Sequence, residues 1–141
     1  MSALVLIDTS SWILAIRGTH PGAETVDQLL AARRAVTNRV IVAELLIGAK
    51  TAQAYREFSD DLAVLPQLEL TEPVWAESAR IGFELRRKGV TASLPDLIIA
   101  ACAITHDCDL FSDDQDFDFI ARHAPLKLYT SSRRHRPAPS R

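Results

Sequence analysis

The stretch ALVLIDTSSWI, residues 3–13, joins an aliphatic run to Asp8, small hydroxylated residues and Trp12. A continuous aliphatic run of this length predicts a short strand buried on both faces, as parallel sheets require. Asp8 at its end has two interpretations. Asp is common at helix N-caps, where it accepts hydrogen bonds from free backbone N–H groups. In open α/β sheets, ligands bind outside the carboxyl ends of the strands, and Asp8 would stand at such an end.

The rest of the chain alternates short apolar runs with amphipathic segments. Strands are predicted at residues 3–7, 35–37, 68–70, 109–112 and 126–129. Helices are predicted at residues 10–17, 23–34, 40–49, 52–65, 73–87, 93–105 and near 117–122. Parallel neighbouring strands need crossover connections, which these helices supply. We therefore predict an α/β fold, a three-layer α/β/α sandwich around a central, mostly parallel sheet of four to five strands.

Length and composition fit one globular domain. The chain has 141 residues, of which 48% are hydrophobic and 24% are charged. We predict a single domain over residues 1–130 and a flexible tail, rich in Arg and Pro, over residues 131–141. The formal net charge of −2 does not indicate nucleic-acid binding, nor does it exclude it, because acidic regions can mask a local basic surface.

Nothing in the sequence predicts a membrane segment, a signal peptide or a zinc site. The longest apolar runs, such as residues 97–104, are far shorter than the roughly 20 residues that span a bilayer. No basic region precedes the first apolar stretch, so we expect a cytoplasmic protein. Cys102 and Cys108 lack zinc-site spacing; Cys102 is expected in the core and Cys108 as a free thiol.

Three further acidic positions lie in unusual surroundings. Glu44 is the one acid in the apolar helix predicted over residues 40–49, although a polar edge of that helix facing water would also explain it. Asp96 opens an apolar helix, but Ser93 and Asp96 also have the spacing of a capping box. Residues 113–116 place three acids after a predicted strand, where a hydrated acidic loop is the alternative. Taken singly, each position has a structural explanation.

Taken together, these acids indicate a cation. A doubly wound fold can bring the strand end at Asp8, the helix start at Asp96, Glu44 and residues 113–116 to one edge. Two carboxylates about 4 Å apart repel by roughly 4 kcal/mol at an effective dielectric of 20. No Lys or Arg is an obvious structural partner, although Arg39 and residues distant in sequence leave that open. An all-oxygen cluster suits Mg²⁺ or Mn²⁺.

Four sequence motifs resemble a known family in their order and content. They are LIDTSSWI at residues 6–13, AELLIGA at 43–49, PDLIIAACAI at 95–104 and LFSDDQDF at 110–117. Each motif alone is weak, but four in register are specific. Over residues 4–117 the chain is similar to the PIN domain, and in particular to VapC-type ribonuclease toxins of bacterial toxin–antitoxin pairs.

The resemblance implies a site built from all four motifs. The catalytic acids that it implies are Asp8, Glu44, Asp96 and Asp114, and the metal ligands are Asp8, Asp96, Asp114 and Asp116. Among the three acids of LFSDDQDF, we favour Asp114, with Asp116 as an added or substitute ligand. Asp113 departs from the family, in which basic or polar residues often occupy that place.

Hydroxyl groups accompany these acids. Ser10, or less favourably Thr9, is expected to position a water molecule at the metal, and capping of the first helix is the alternative for both. Ser112 stands where the family often has Thr and keeps the hydroxyl group.

The activity implied is that of a divalent-metal-dependent endoribonuclease, with Mg²⁺ as cofactor and Mn²⁺ as a substitute. Metal-activated water would hydrolyse RNA and leave a 5′-phosphate and a 3′-hydroxyl. RNA also needs positive residues beside the acids. The candidates are Arg17, Arg39, Arg86, Arg87, Lys88, Arg133, Arg134 and Arg136, each of which is alternatively a solvated surface charge.

The resemblance also implies protein partners. Relatives form homodimers and are inhibited by a VapB-type antitoxin, whose C-terminal segment lies across the active-site groove, in complexes that include higher-order assemblies. The apolar residues Trp12, Leu45, Leu46 and Tyr55 serve either such a partner or the core.

Three other classes of protein compete with this interpretation. The first is a noncatalytic PIN-like interaction module with a structural metal site. The second is a phosphoaspartyl or receiver-like domain, but Ser10 stands where haloacid-type enzymes need a second Asp, and SDDQDF lacks the receiver Lys. The third is a nucleotide-binding Rossmann domain, which is disfavoured because no G-x-G-x-x-G follows the first strand.

Overall fold

The computed structural model describes residues 3–18 and 21–130. Its strands are β1 (Val5–Ile7), β2 (Ala35–Val36) and β3 (Asp109–Phe111). Its helices are α1 (Thr9–Arg17), α2 (Gly22–Ala31), α3 (Arg39–Ile47), α4 (Ala52–Ala63), α5 (Glu72–Arg87), α6 (Leu94–Thr105) and α7 (Gln115–His123). The order of strands and helices confirms the predicted α/β class.

The sheet is parallel, in the order β2-β1-β3. Val5 pairs with Ala35 on one side and with Asp109 on the other, so β1 is the central strand. All three residues of β1 are completely buried, which explains why the opening aliphatic run has no polar alternation. The carboxyl ends of β1 and β3 therefore lie side by side, at Asp8 and Ser112.

The predicted count of four to five strands is too high for the described part of the chain. Residues 68–70 and 126–129 form no strand, and each sheet edge carries one isolated parallel bridge instead, Thr37 to Gln67 and Leu110 to Leu128. Pro66 and Pro125 precede these two segments, and proline lacks the N–H group that a longer ladder would need.

Helix α2 also ends earlier than the predicted residue 34. Arg33 adopts a left-handed conformation with φ 58°, and the N–H of Arg34 donates to the carbonyl of Leu29. This closing turn brings the chain directly into β2. Arg34 is therefore outside the helix, where its Nε donates to the carbonyl of Ala3.

Helix α6 forms the centre of the helical packing. Residues 97–103 are all buried, which confirms the predicted deep position of this helix. Gly82 on α5 lets the two helices approach closely, because a Cβ atom there would lie 2.8 Å from Leu97 Cδ1. Cys102 and Cys108 are buried thiols, and burial raises the pKa of Cys108 to about 12. Leu97, the neighbour of Asp96 in the first turn of α6, therefore packs closely against α5.

The predictions on the C-terminal tail and on membrane segments can be compared with the structure only in part. The tail predicted at residues 131–141 lies outside the described residues, so the tail and the boundary at residue 130 stay predictions. Among the helices described, none is both long enough and apolar enough to cross a membrane.

Candidate active site

Residues from four separate parts of the chain line one cavity at the carboxyl edge of the sheet. This acid cavity has a volume of about 230 Å³. It is lined by Asp8, Thr9, Ser10, Ile13, Glu44, Asp96, Ile99 and Asp114. The structure thus brings together all four acids that the resemblance implies as catalytic.

Asp8 fits both interpretations that the sequence allowed, a helix N-cap and a site residue at the end of a strand. It is the N-cap of α1, where its Oδ1 accepts a hydrogen bond of 2.9 Å from the backbone N–H of Ser11. Its Oδ2 lies at the cavity and accepts bonds from the hydroxyls of Ser10 at 2.9 Å and Ser112 at 2.8 Å. Burial raises the pKa of Asp8, and these hydrogen bonds oppose that rise. They therefore favour a charged carboxylate in a buried place.

Glu44 is tied to the opposite wall of the cavity. Its Oε1 accepts a 2.6 Å hydrogen bond from the hydroxyl of Thr9, 35 residues earlier in the chain. The half-buried side chain thus lines the cavity, and the alternative of a polar helix edge facing open water is wrong. The capping alternative for Thr9 and Ser10 is also wrong, because Asp8 caps α1 and both hydroxyls donate to site acids.

Asp96 stands in the first turn of α6. Its backbone N–H donates to the Ser93 hydroxyl at 3.3 Å, and Ser93 is the N-cap. The return bond of a full capping box is missing in the described structure, so the Asp96 carboxylate is free to line the cavity. Its pKa is raised to about 6, first by burial and then by the charges of Asp114, Asp116, Glu44 and Asp8.

The LFSDDQDF motif connects β3 to the site through a relay of hydrogen bonds. Ser112 Oγ donates to Asp8 and accepts from the backbone N–H of Asp114 at 2.9 Å. Asp114 is the N-cap of α7, where its Oδ1 accepts from the N–H of Asp116. Asp113 does not line the acid cavity. One turn thus aims two of its three acids at the cavity region.

Three carboxylates of the described residues lie closest together. Oxygens of Asp96, Asp114 and Asp116 all fall within 4.8 Å of one another. Asp8 is outside this group, but its charge acts on Asp96 across the same cavity. Within the described residues, the acids of the acid cavity and Asp116 make no ion pair with a Lys or Arg, whereas Glu77 and Asp107 elsewhere do. An unneutralised all-oxygen donor set fits a hard divalent ion such as Mg²⁺ or Mn²⁺.

The described residues that were predicted to contact RNA do not line the acid cavity. Arg39 is exposed at the first position of α3, and Arg86 and Arg87 are exposed at the end of α5, followed by Lys88. Arg87 lies over the ring of Phe83 at 5.6 Å from its centroid. The predicted contacts at Arg17, Arg133, Arg134 and Arg136 fall on side chains outside the described structure.

An apolar groove of about 430 Å³ lies on the other side of α1 and α3. It is lined by Trp12, Ile16, Leu30, Leu45, Glu57, Phe58, Asp61, Leu62, Val64 and Leu65. Trp12 and Leu45 are buried in its floor, Leu46 is half-buried, and Tyr55 is 49% exposed nearby. Most of this groove was not predicted from the sequence. Its exposed members Ile16 and Val64 are apolar residues beside apolar helical stripes, so the sequence pattern does not distinguish them from core residues.

Comparison with known proteins identifies the class first. Residues 5–123 match the PIN domain. The chain belongs to the PIN domain family.

Within that family, the similar relatives are VapC proteins. The chain is 35% identical over 129 residues to ribonuclease VapC11 of Mycobacterium tuberculosis strain H37Rv and to VapC ribonuclease Mb1587 of Mycobacterium bovis. Each comparison covers 88% of this chain and 96% of the relative. The predicted resemblance is confirmed.

Solved structures confirm the fold at lower identity. VapBC2 of Rickettsia felis, bound to promoter DNA, has a TM-score of 0.75 and 21% identity over 89% of this chain and 97% of its own. DNA-bound VapBC of Salmonella typhimurium has a TM-score of 0.74 and 19% identity, with coverage of 91% and 98%. VapC20 of Mycobacterium tuberculosis, described as a toxin that cleaves the sarcin–ricin loop, has a TM-score of 0.61 and 15% identity, with coverage of 82% and 93%.

Proposed function

We propose that this chain is a divalent-metal-dependent endoribonuclease and the toxin of a VapBC-type toxin–antitoxin system, acting in the cytoplasm. The observation that supports this most is the meeting of Asp8, Glu44, Asp96 and Asp114 in one cavity, with no basic partner in the part of the chain that the structure describes. The relatives named ribonucleases support the same activity, so the noncatalytic module is not favoured.

Four carboxylates would hold the metal. Asp96, Asp114 and Asp116 offer the closest oxygens, and Asp8 completes the ligand set from the end of β1. An Mg²⁺ ion, or Mn²⁺ in its place, would supply activation of water and charge neutralisation at the phosphate. Burial raises the pKa of Asp96 most, and repulsion from the neighbouring acids, which such a cation would relieve, raises it further.

The neighbouring hydroxyls fix the directions in which the acids point. Ser10 and Ser112 hold Asp8 Oδ2, and Thr9 holds Glu44 Oε1. Glu44 Oε2 has no partner among the described residues and is available to accept a hydrogen bond from water. The water oxygen attacks phosphorus, the bond from phosphorus to O3′ breaks, and O3′ gains a proton. The products are a 3′-hydroxyl and a 5′-phosphate.

RNA phosphates would meet exposed arginines on either side of the cavity. Arg39 lies at the start of α3, which carries Glu44. Arg86 lines a second cavity together with Leu94 and Leu97, which flank Asp96 on α6. Arg87 is the residue after Arg86. Because Leu94 and Leu97 lie on either side of Asp96 in the sequence, an RNA strand bound at Arg86 would pass close to Asp96.

A VapB-type antitoxin would occupy the apolar groove. Several structural neighbours were solved as VapBC complexes. The groove is apolar and open, and Trp12 Nε1 in its floor is buried without a hydrogen-bond partner among the described residues. A homodimer and higher-order toxin–antitoxin complexes are proposed from the resemblance alone.

The test is cleavage of a structured RNA by purified protein with Mg²⁺ or Mn²⁺. Chelation of the metal should stop cleavage, and Asp114→Asn should reduce it strongly, because Asn keeps the cap of α7 but removes a charge. Asp60→Asn, an exposed change on α4, is the matched control and should cleave normally. End analysis should find 5′-phosphates; a 2′,3′-cyclic phosphate product or chelator-resistant cleavage would disprove the metal mechanism.

A further inference from the structure

A shallow cavity of about 450 Å³ lies at the junction of α3 and α4. It is lined by Ala49, Lys50, Thr51, Ala52, Tyr55 and Arg56. This lining contains two positive charges, an aromatic ring and no acid. We call Lys50, Tyr55 and Arg56 the basic shelf.

The basic shelf and the acid cavity each share lining residues with a third depression. This depression is mostly apolar, is lined by Ile13, Ala49 and Lys50 among others, and shares Ile16, Leu45 and Phe58 with the apolar groove. Ile13 also lines the acid cavity, and Lys50 also lines the shelf. Gly48, within this depression, stands one helical turn, about 6 Å, beyond Glu44. An extended chain can therefore pass from the acids to Lys50 along one concave surface.

The charges of the shelf are not used in the described structure. Lys50 and Arg56 form no hydrogen bond or ion pair with the residues described, whereas Lys127 pairs with Asp107. Thr51 caps α4, whose N-terminal end opens into the same cavity and adds positive potential. The shelf is therefore a positive surface beside a negative site.

Tyr55 departs from the burial that its helix pattern predicts. It lies on the same apolar stripe of α4 as Phe58 and Leu62, which pack into the protein. Yet Tyr55 is 49% exposed, and its hydroxyl has no partner among the described residues. Exposed aromatic rings beside basic side chains are the platforms on which unpaired bases stack.

We propose that the basic shelf binds a nucleotide of single-stranded RNA next to the segment that is cleaved, with its base stacked on Tyr55 and phosphates contacting Lys50 and Arg56. This inference rests on the proposed ribonuclease function and adds the direction in which the substrate leaves the acid cavity. The shelf suits RNA better than the neighbouring groove does, because the charged residues of the shelf are basic whereas those of the groove, Glu57 and Asp61, are acidic. The shelf is a binding subsite and takes no part in the chemical step.

The experiment measures binding of a fluorescent single-stranded RNA oligonucleotide across a salt series, in an Asp96→Asn background so that bound RNA is not cut. Lys50→Ala with Arg56→Ala should make the slope of log affinity against log salt shallower by about 1.4, since each phosphate contact contributes about 0.7 on single strands. Tyr55→Ala should weaken binding roughly tenfold with no change in slope, and Tyr55→Phe should restore it. The matched controls Phe119→Ala and Arg122→Ala remove another exposed aromatic residue and its arginine, 5.0 Å apart on α7, and should leave both quantities unchanged.

Cleavage kinetics separate this inference from the function on which it rests. With Asp96 intact, the shelf variants should raise KM and leave kcat unchanged. If wild-type protein cleaves RNA and the shelf variants change neither slope nor KM, the shelf inference is overturned and the ribonuclease stands. If wild-type protein neither binds nor cleaves RNA, the proposed function fails and the shelf inference fails with it. Loss of antitoxin binding with unchanged RNA binding would assign the shelf to protein and also overturn the inference.

Discussion

The acid cavity and the apolar groove are built by the same two helices but have opposite energetics. Glu44 lines the cavity and its neighbour Leu45 lines the groove, because successive helical residues point about 100° apart. The successive residues Trp12, in the groove, and Ile13, in the cavity, divide α1 in the same way. In the groove, burial of apolar side chains stabilises the fold. In the cavity, burial and repulsion raise the pKa of Asp96, so the charged acids oppose folding.

This difference indicates that one pair of helices serves two separable functions. Changes to the acids should lower RNA cleavage and, in the metal-free protein, should reduce the repulsion between carboxylates. Changes to the open side of the groove should alter partner binding and leave chemistry intact. Four variants or conditions test this separation.

Asp96→Asn should have the largest effect. It keeps the shape of the side chain and removes a proposed metal ligand. Loss of a residue that only supports a ligand lowers activity by up to about 100-fold, so loss of the ligand itself should lower cleavage by more than about 100-fold. The metal-free variant should nevertheless be more stable near neutral pH, by about 1 kcal/mol after allowance for solvent screening of a half-buried group. RNA cleavage rates and thermal unfolding measure the two effects. Full activity in Asp96→Asn, or a less stable metal-free variant, would contradict the comparison.

Val64→Asp should break the groove without breaking the fold. Val64 is 81% exposed, so the free energy of unfolding should change by less than about 0.5 kcal/mol. A charge in the apolar groove should weaken antitoxin binding by at least about tenfold. Ile47→Asp is the matched control, because Ile47 is 82% exposed and does not line the groove. Calorimetric titration with the antitoxin decides, and equal affinities for the two variants would remove the groove from the interface.

Ser112→Ala should have an intermediate effect on the acid cavity. It removes the bond to Asp8 Oδ2 and the acceptor for the N–H of Asp114, which should cost about 1–2 kcal/mol of stability and lower cleavage roughly tenfold. Ser112→Thr keeps the hydroxyl and should retain activity. Ser78→Ala removes another buried hydroxyl bond, to the carbonyl of Val74, and should cost stability but no activity. If Ser78→Ala and Ser112→Ala lose cleavage equally, Ser112 acts only through stability.

The candidate acids could be identified from the sequence because each one lies at the end of, within or at the start of an apolar segment. Asp8 ends an aliphatic strand, Glu44 interrupts an apolar helix, and Asp96 opens another. The parallel fold then requires strand ends to meet at one edge, so the meeting of Asp8 with Ser112 follows from topology. The resemblance to the PIN domain added the preference for Asp114 among the acids of residues 113–116.

The edges of the sheet and the outer surfaces were not predictable in the same way. A single bridge at Gln67 or Leu128 leaves too few paired residues to produce an alternating pattern. Tyr55 has the helical spacing of a core residue but is exposed. The packing that covers Phe58 and Leu62 on α4 does not extend as far as Tyr55. Local patterns define which residues favour burial, whereas tertiary packing decides where burial stops.

The pH dependence of stability should give the smallest effect and isolates the charge of Asp96. In the unfolded chain this carboxyl has its ordinary pKa of 3.8, and in the native state its pKa is about 6. The native state therefore holds the proton to higher pH, and the stabilisation present below pH 4 is lost as pH rises to about 6. We expect metal-free wild-type protein to lose on the order of 1 kcal/mol relative to Asp96→Asn across this range. Millimolar Mg²⁺ should reverse the loss, because a cation that binds only the native, charged site stabilises it. Denaturant unfolding of both proteins at a series of pH values measures the difference. If the curves of unfolding free energy against pH were parallel for the two proteins, the charge of Asp96 would not oppose folding, and the contrast with the apolar groove would fail.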